Sequence, residues 1–145
     1  MEQVRQRSWQ RTRTQILAVV LTVYWATLCL GTHVPGRVIV TPPVSDKVLH
    51  FVAYAGLGFL LALLAFCLGL RGWRVYAALL LIAVCYGAID ELGQIPVPGR
   101  NADMADWGAD MLGVVAGLTL HWLAARAAAV WAMARLAQQK KPSPP

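Results

Sequence analysis

Six of the seven carboxylates in the chain lie in three short segments that also hold bases, hydroxyls or amides. The first segment reads Asp46-Lys47-x-x-His50-x-x-x-Tyr54, and on a helix the last three of these side chains fall on one side. A histidine one turn into an otherwise apolar helix needs a partner. His50 is therefore a candidate acid or base, whereas Lys47 could hold an anion such as phosphate or carboxylate.

The second segment closes an apolar run with Asp90, Glu91 and Gln94, one turn after Tyr86. Helical geometry places these four side chains on one half of a helix. Glu91 and Asp90 are the carboxylates that could exchange protons beside His50.

The third segment begins at Arg100 and continues with Asp103, Asp106 and Asp110, which repeat at i, i+3 and i+7 and form one stripe along a helix. Acids in a first turn complement the helix dipole, which accounts for Asp103 and Asp106 without any chemistry. Asp110 lies about one turn deeper and needs a cation or a proton as its partner.

The elements that carry these segments are membrane helices. Hydrophobic residues make up 58% of the chain and charged residues 14%, against roughly 25% in a typical soluble domain. Four runs, at 15–31, 48–70, 75–92 and 106–125, are long enough to cross a bilayer, for which about 17 residues are the lower limit. Residues 71–74 predict a tight turn and an antiparallel helical hairpin. Residues 93–105, with two prolines and two glycines, predict a loop.

The placement of the basic residues predicts the orientation. With the N-terminus in the cytoplasm, ten lysines and arginines lie inside, and only Arg37, Lys47 and Arg100 lie outside. We therefore expect both termini in the cytoplasm and the loops 32–47 and 93–105 outside. The expected parts are a basic cytoplasmic segment at 1–14, interpreted as the start of an uncleaved signal anchor, a membrane domain at 15–125, and a helical or disordered cytoplasmic tail at 126–145.

The predicted fold is an all-α membrane protein, a bundle of four transmembrane helices with a polar cluster at the outer face. Gly113 and Gly117 form a GxxxG motif on the fourth helix, and Gly56 and Gly58 lie on the second. Small residues of this kind let membrane helices approach closely. Clustered acids and bases in such a bundle either form a reactive site or only lock the helices together.

These motifs resemble the VanZ-like family. The similarity runs from about Asp46 to Gly117, and the motifs stand in the family's order: Asp46-Lys47-x-x-His50-x-x-x-Tyr54, Asp90-Glu91-x-x-Gln94, Pro98-Gly99-Arg100, Asp103-x-x-Asp106, and the Gly113/Gly117 helix. The family often carries Asn where this chain has Asp110. The resemblance implies a multi-pass protein of the bacterial cytoplasmic membrane, and the family takes its name from a protein associated with resistance to the glycopeptide teicoplanin.

Three functions are compatible with the cluster. The first is an enzyme acting on a lipid-linked or glycan component of the cell envelope at the outer leaflet. The second is a protein that binds an envelope precursor or a glycopeptide without chemistry, or whose cluster is only structural. The third is a transporter, which four helices and an uncharged first helix disfavour. Nucleic-acid binding is disfavoured because the cytoplasmic bases flank helix ends.

The candidate residues divide by role. The acid/base candidates are His50, Glu91 and Asp90, and the binding candidates are Asp46, Lys47, Tyr54, Gln94, Arg100, Asp103 and Asp106. No residue is assigned to a metal, although histidine with carboxylates could also hold a divalent ion. No cofactor is assigned, and the expected partners are membrane lipid and an envelope precursor or glycopeptide.

Overall fold

Four helices make up the described part of the fold. The computed structural model describes residues 1–35 and 45–139, apart from the side chains of Glu2 and Arg7. The helices are α1 (Glu2–His33), α2 (Asp46–Cys67), α3 (Trp73–Gln94) and α4 (Met104–Gln139). Each is long and apolar enough to cross a membrane. The chain is therefore a multi-pass membrane protein with an all-α fold, as its composition predicts.

The first and last helices extend well beyond the apolar runs that predict them. The run at 15–31 lies within the 32 residues of α1, and the run at 106–125 lies within the 36 residues of α4. Hydropathy reports the part of a helix that lies in lipid, whereas arginine, glutamine and alanine continue a helix into water at little cost. The basic segment at 1–14 and the tail up to Gln139 are thus helical. Residues 140–145 lie outside the described part of the chain.

The connection between α2 and α3 occupies residues 68–72. Gly69 and Gly72 have φ angles of 82° and 96°, a region that glycine enters without strain. The turn starts three residues earlier than the predicted turn at 71–74, because α2 ends at Cys67. It reverses the chain within five residues, so α2 and α3 run antiparallel. The predicted loop at 93–105 shortens to 95–103, and most of the predicted loop at 32–47 falls at 36–44, outside the described residues.

A glycine seam, formed by Gly113 and Gly117 of α4 against the backbone of α2, sets the closest helix pair. A Cβ atom at Gly113 would collide with the carbonyl oxygen of Phe51, and one at Gly117 would collide with that of Ala55. On the α2 side, a Cβ at Gly58 would lie 2.8 Å from the carbonyl oxygen of Val114. The GxxxG motif thus marks the α2–α4 interface.

The other helices pack around this pair. The buried apolar core is formed by Tyr54, Leu57, Ala62, Ala83, Val114 and Leu118. Helix α3 packs against α4, and α1 packs on the outside against α2 and α3. The hydroxyl of Tyr24 on α1 donates to the carbonyl oxygen of Ala53 on α2 at 2.7 Å. Four helix ends meet at one end of the bundle, which we call the acidic end: the C-termini of α1 and α3 and the N-termini of α2 and α4.

Candidate functional site

The polar cluster lies at the acidic end and draws on three helices. Its residues come from the first turns of α2, the last turn of α3, and the start of α4 with the residue before it. They are Asp46, Lys47, His50, Asp90, Glu91, Gln94, Asp103, Asp106 and Asp110. The glycine seam holds α2 against α4 at this height, because Gly113 lies one turn below Asp110 and Phe51 follows His50. The periodicities within the sequence segments thus combine into one cluster.

Lys47 closes the outer edge of the cluster by bridging two acids. Its Nζ lies 2.8 Å from Asp103 Oδ2 and 2.8 Å from Asp106 Oδ1. The ammonium group holds the pKa of Asp103 below its usual value, because it donates a hydrogen bond to the charged carboxylate. Asp103 also accepts the backbone N–H of Ala105 at 2.8 Å, so it caps the start of α4. The single positive charge of Lys47 thus offsets one of the two carboxylates and holds both in place at the edge of the cluster.

His50 and Asp110 form a buried pair across the α2–α4 interface. The Nδ1 atom of His50 lies 2.9 Å from Asp110 Oδ1, and the two residues are 8% and 1% exposed. The other carboxylate oxygen of Asp110, Oδ2, is fully buried and has no hydrogen-bond partner among the described residues. A buried carboxylate oxygen without a donor is costly and rare. Among the described residues, it is the one fully buried side-chain nitrogen or oxygen without a hydrogen-bond partner.

Glu91 is the third buried member and lies on α3. Its Oε1 accepts from the amide of Gln94 at 3.2 Å, and its Oε2 accepts from the backbone N–H of Asp103 at 2.9 Å. These donors are neutral, and no lysine or arginine in the described part of the chain forms an ion pair with Glu91. The carboxylate is thus oriented by hydrogen bonds but not balanced in charge.

Asp90 is held by hydroxyl groups from three helices. The hydroxyls of Thr32, Tyr54 and Tyr86 lie 3.0, 3.4 and 3.5 Å from its carboxylate oxygens. The ring of His33 is near, with Nδ1 at 3.7 Å, and donates to the carbonyl oxygen of Cys29. Asp90 therefore joins α1, α2 and α3, which suits a structural role better than the acid/base role considered for it from the sequence.

Thr32 and His33 were not among the candidates from the sequence. The first apolar run carries no charge, and a hydroxyl at its end gives no sign of which helix it will meet. The one usable signal is position, because both residues end α1 on the side of the membrane where Asp90 ends α3.

Arg100 binds the end of α1 instead of the acids. Its guanidinium donates to the carbonyl oxygens of Gly31 at 3.0 Å and Val34 at 3.4 Å. The last carbonyls of a helix lack intrahelical donors and carry the negative end of its dipole, so a cation satisfies them well. The structure thus brings His50 and Glu91 together, whereas Arg100 binds α1 and shares with His50 the lining of a groove.

That groove lies between α1 and α2 and leads from the middle of α1 to the cluster. It has a volume of about 740 Å³ and apolar walls formed by residues such as Val19, Val20 and Val23. Its polar end is lined by Asp46, His50 and Arg100. The groove is therefore apolar along most of its length and carries charged residues at one end.

Two sets of side chains in the cluster have the composition of a metal site. In each set, one ligand atom per residue lies within 4.8 Å of the others: His50, Glu91 and Asp110, all buried, and Asp46, His50 and Asp106, of which Asp46 is exposed. Both sets share His50.

A smaller polar pair lies at the opposite end of the bundle. The hydroxyl of Tyr76 on α3 lies 2.9 Å from Nδ1 of His121 on α4, within a cavity of about 690 Å³ between α2, α3 and α4. Arg71 and Arg126 also line this cavity. It shares no residue with the polar cluster.

Comparison with known proteins gives one match. A family model described as VanZ/LLP1 matches residues 2–125, which include all four membrane-crossing runs and every residue of the polar cluster. Searches of curated proteins and of solved structures give no significant match.

Proposed function

The chain belongs to the VanZ/LLP1 family, and from this premise we propose that it binds a lipid-linked component of the cell envelope. In this proposal the polar headgroup lies at the acidic end and the hydrocarbon chain lies in the groove between α1 and α2. The side of the membrane is the outer leaflet, and both termini are cytoplasmic. The excess of basic residues near the opposite helix ends supports this orientation.

The observation that carries the proposal is the shape and chemistry of the groove. Binding sites for small molecules are mostly apolar concavities with a few polar groups that fix orientation. Here the apolar walls at Val19, Val20 and Val23 end at His50, Asp46 and Arg100. A ligand that matches this profile has a long apolar chain and a polar, partly anionic head, as a lipid-linked glycan has.

Arg100 is the residue suited to bind the anionic part of that headgroup. Its two contacts to α1 use Nε and one terminal nitrogen. A guanidinium has five N–H donors, so the remaining ones can bind a phosphate or carboxylate oxygen. Lys47, by contrast, is engaged with Asp103 and Asp106. The binding role inferred for Lys47 from the sequence is thus weaker than the role of Arg100.

A hydrolytic version of the function is favoured by one specific observation. A carboxylate that accepts a hydrogen bond from one ring nitrogen of a histidine orients the ring as a general base. Asp110 stands in that relation to His50, which lines the polar end of the groove. In this version His50 takes a proton from a water molecule whose oxygen attacks a phosphorus atom of the headgroup, the P–O bond to the leaving group breaks, and His50 returns the proton to the leaving oxygen, so that no serine or cysteine nucleophile is required.

A purely structural cluster is the competing interpretation. It is favoured by Lys47, whose bridge between α2 and the start of α4 is complete without any ligand. The two interpretations differ in what they require of the groove, because a structural lock does not need the groove to stay open.

The experiment fills the groove and leaves the cluster intact. Val23→Trp places a large ring on the groove wall, and Ile16→Trp is the matched control: it lies two turns away on the same helix, and the two side chains are 60% and 59% exposed. Each protein, in nanodiscs, is titrated with a purified polyprenyl-diphosphate-linked glycan, and binding and turnover are measured on the same sample.

We expect wild type and Ile16→Trp to bind the precursor and Val23→Trp to lose at least about tenfold in affinity, because the ring takes the place of the chain. Turnover by wild type favours the hydrolytic version, and binding without turnover favours the binding protein. Absence of binding by wild type, or equal binding by both variants, contradicts the proposal. If the protein binds the envelope precursor, it should also change the susceptibility of the cell to glycopeptides. This is measured by deleting the gene and complementing the deletion with these variants.

A further inference from the structure

The buried part of the polar cluster carries more negative charge than the described residues balance. Lys47 forms ion pairs with both Asp103 and Asp106 but offsets only one of their two charges, and hydroxyl groups surround Asp90. This leaves Glu91 and Asp110, both buried, with His50 as the only basic group in contact among the described residues. Charges buried in this way must be paired, protonated or bound to a metal.

Asp110 adds an independent observation. The residue is 1% exposed, and its Oδ2 has no hydrogen-bond donor among the described residues. The oxygen is enclosed on the α3 side: a Cβ atom at Gly87 would lie 3.6 Å from it. No described group donates to this oxygen, so its lone pairs are free to bind a cation at the cluster.

We infer that His50, Glu91 and Asp110 bind one divalent transition-metal ion. Their ligand atoms lie within 4.8 Å of one another. Ligand atoms about 2.1 Å from a common ion are about 3 to 4 Å apart, so small inward movements of the side chains complete the site. One imidazole with two carboxylates suits Mn²⁺, Fe²⁺ or Zn²⁺, and the charge of the ion balances both acids.

The remaining hydrogen bonds fit the needs of such a site. Metal-ligating carboxylates are held in place by donors outside the coordination sphere. Glu91 has two of them, the amide of Gln94 and the backbone N–H of Asp103. Both belong to the acidic end, so the ligand is oriented before an ion arrives. The inference does not depend on the lipid-linked ligand, because the three residues and their supports all belong to the protein.

The exposed alternative is less suitable. The set of Asp46, His50 and Asp106 also has ligand atoms within 4.8 Å, but Asp46 is exposed and Asp106 already forms an ion pair with Lys47. The two sets make different predictions for Asp46→Asn, which leaves the buried set complete and removes a ligand from the exposed one.

The test uses Mn²⁺ alone as the probe, with tag-free protein in nanodiscs of neutral phospholipid and no envelope precursor. The signal of free aqueous Mn²⁺ in electron paramagnetic resonance reports binding, and electron spin echo modulation reports a nitrogen ligand on the bound ion. Zn²⁺ is added as a competitor. We expect one Mn²⁺ per chain, displaced by Zn²⁺, with nitrogen coupling that is lost in His50→Ala.

The variants Asp110→Asn and Glu91→Gln keep side-chain shape and remove one charge each. We expect each to weaken Mn²⁺ binding at least about tenfold, as loss of a ligand does. Asp103→Asn is the control, since it removes the same charge from the edge of the cluster. Asp103→Asn and Asp46→Asn, each as a single variant, should change the affinity for Mn²⁺ by less than about threefold, because exposed charges interact weakly with the ion.

Several results would overturn the inference: no Mn²⁺ bound by wild type, no nitrogen coupling, or losses in Asp103→Asn or Asp46→Asn as large as those in Asp110→Asn. If Asp110→Asn does not fold, Glu91→Gln and the wild-type spectrum still decide. A rise in the unfolding temperature of wild type with Mn²⁺, absent in Glu91→Gln, supports a site that exists only in the folded protein. Lipid binding without Mn²⁺ binding would contradict this inference and leave the proposed function intact.

Discussion

The replacement of Gly113 by alanine tests whether the α2–α4 backbone contact holds the cluster together. The new methyl group would collide with the carbonyl oxygen of Phe51 and lie 3.0 Å from the backbone nitrogen of Ala55. Backbone atoms cannot rotate away as a flexible side chain can, so the two helices must separate. Because Phe51 follows His50, the same movement lengthens the 2.9 Å contact between His50 and Asp110.

The size of the effect follows from a comparison within α4. Ordinary contacts between carbon and oxygen are about 3.3 Å or longer, so the helices must move apart by about 1 Å. Overpacking of this kind costs about 1–3 kcal/mol. Alanine also favours a helix over glycine by about 0.5–1 kcal/mol. Gly108→Ala on α4 provides that gain alone, because a Cβ there has no neighbour within 4 Å. The difference between the two variants is therefore about 1–3 kcal/mol.

Each variant is unfolded in mixed micelles with an increasing fraction of denaturing detergent. Unfolding is monitored by the loss of helical signal and by the distance between a label on α2 and a label on α4. We expect Gly108→Ala to equal or exceed wild type in stability and Gly113→Ala to unfold earlier. Equal stability of the two variants, with an unchanged α2–α4 distance, would show that the seam is looser than described and that its glycines do not position the cluster.

Three further predictions concern orientation, activity and charge. A cysteine introduced at Asn101 in a cysteine-free chain is expected to react with an impermeant maleimide on intact cells, whereas one at Gln138 should react only after the cells are opened; the reverse pattern contradicts the proposed orientation. Glu91→Gln is expected to abolish activity in an envelope-antibiotic assay at unchanged membrane abundance, because an amide is a poor base and a poor metal ligand; full activity would exclude both roles. In Lys47→Met the pKa of Asp103 should rise towards its usual value, since the hydrogen bond that lowers it is gone, and an NMR titration showing no change would refute that cause.

The fold could be predicted from the sequence because lipid simplifies the problem. Long apolar runs must be helical in a bilayer, and the short turn after α2 fixes an antiparallel pair. The GxxxG motif at Gly113 and Gly117 also indicated a close interface, although not its partner. The helical lengths of α1 and α4 could not be read from hydropathy, because their polar ends leave the lipid and continue as helix.

The candidate site could be predicted only in part. Spacing within each segment indicated which side chains share a helix face, and this gave His50, Glu91 and the acids of α4. The partner of each group depends on packing between helices, which spacing does not contain. Arg100 therefore binds carbonyl oxygens of α1, and Thr32 supports Asp90, although neither contact was expected. The orphaned oxygen of Asp110 could be found only from the structure.

The order of the partners along the chain has a consequence for biogenesis. A ribosome delivers α1 and α2 to the membrane before α3 and α4. Thr32 and Tyr54 are thus already in the bilayer when Asp90 is inserted, and Lys47 and His50 are in place before the acids of α4. Most of these acids therefore meet a donor that was synthesised earlier, whereas the ammonium group of Lys47 has no acid until α4 arrives and lies meanwhile at the start of α2, within reach of the headgroups. Glu91 is the exception, since Gln94 and the Asp103 amide follow it, and its place in the last turn of α3 lets it wait near the headgroups.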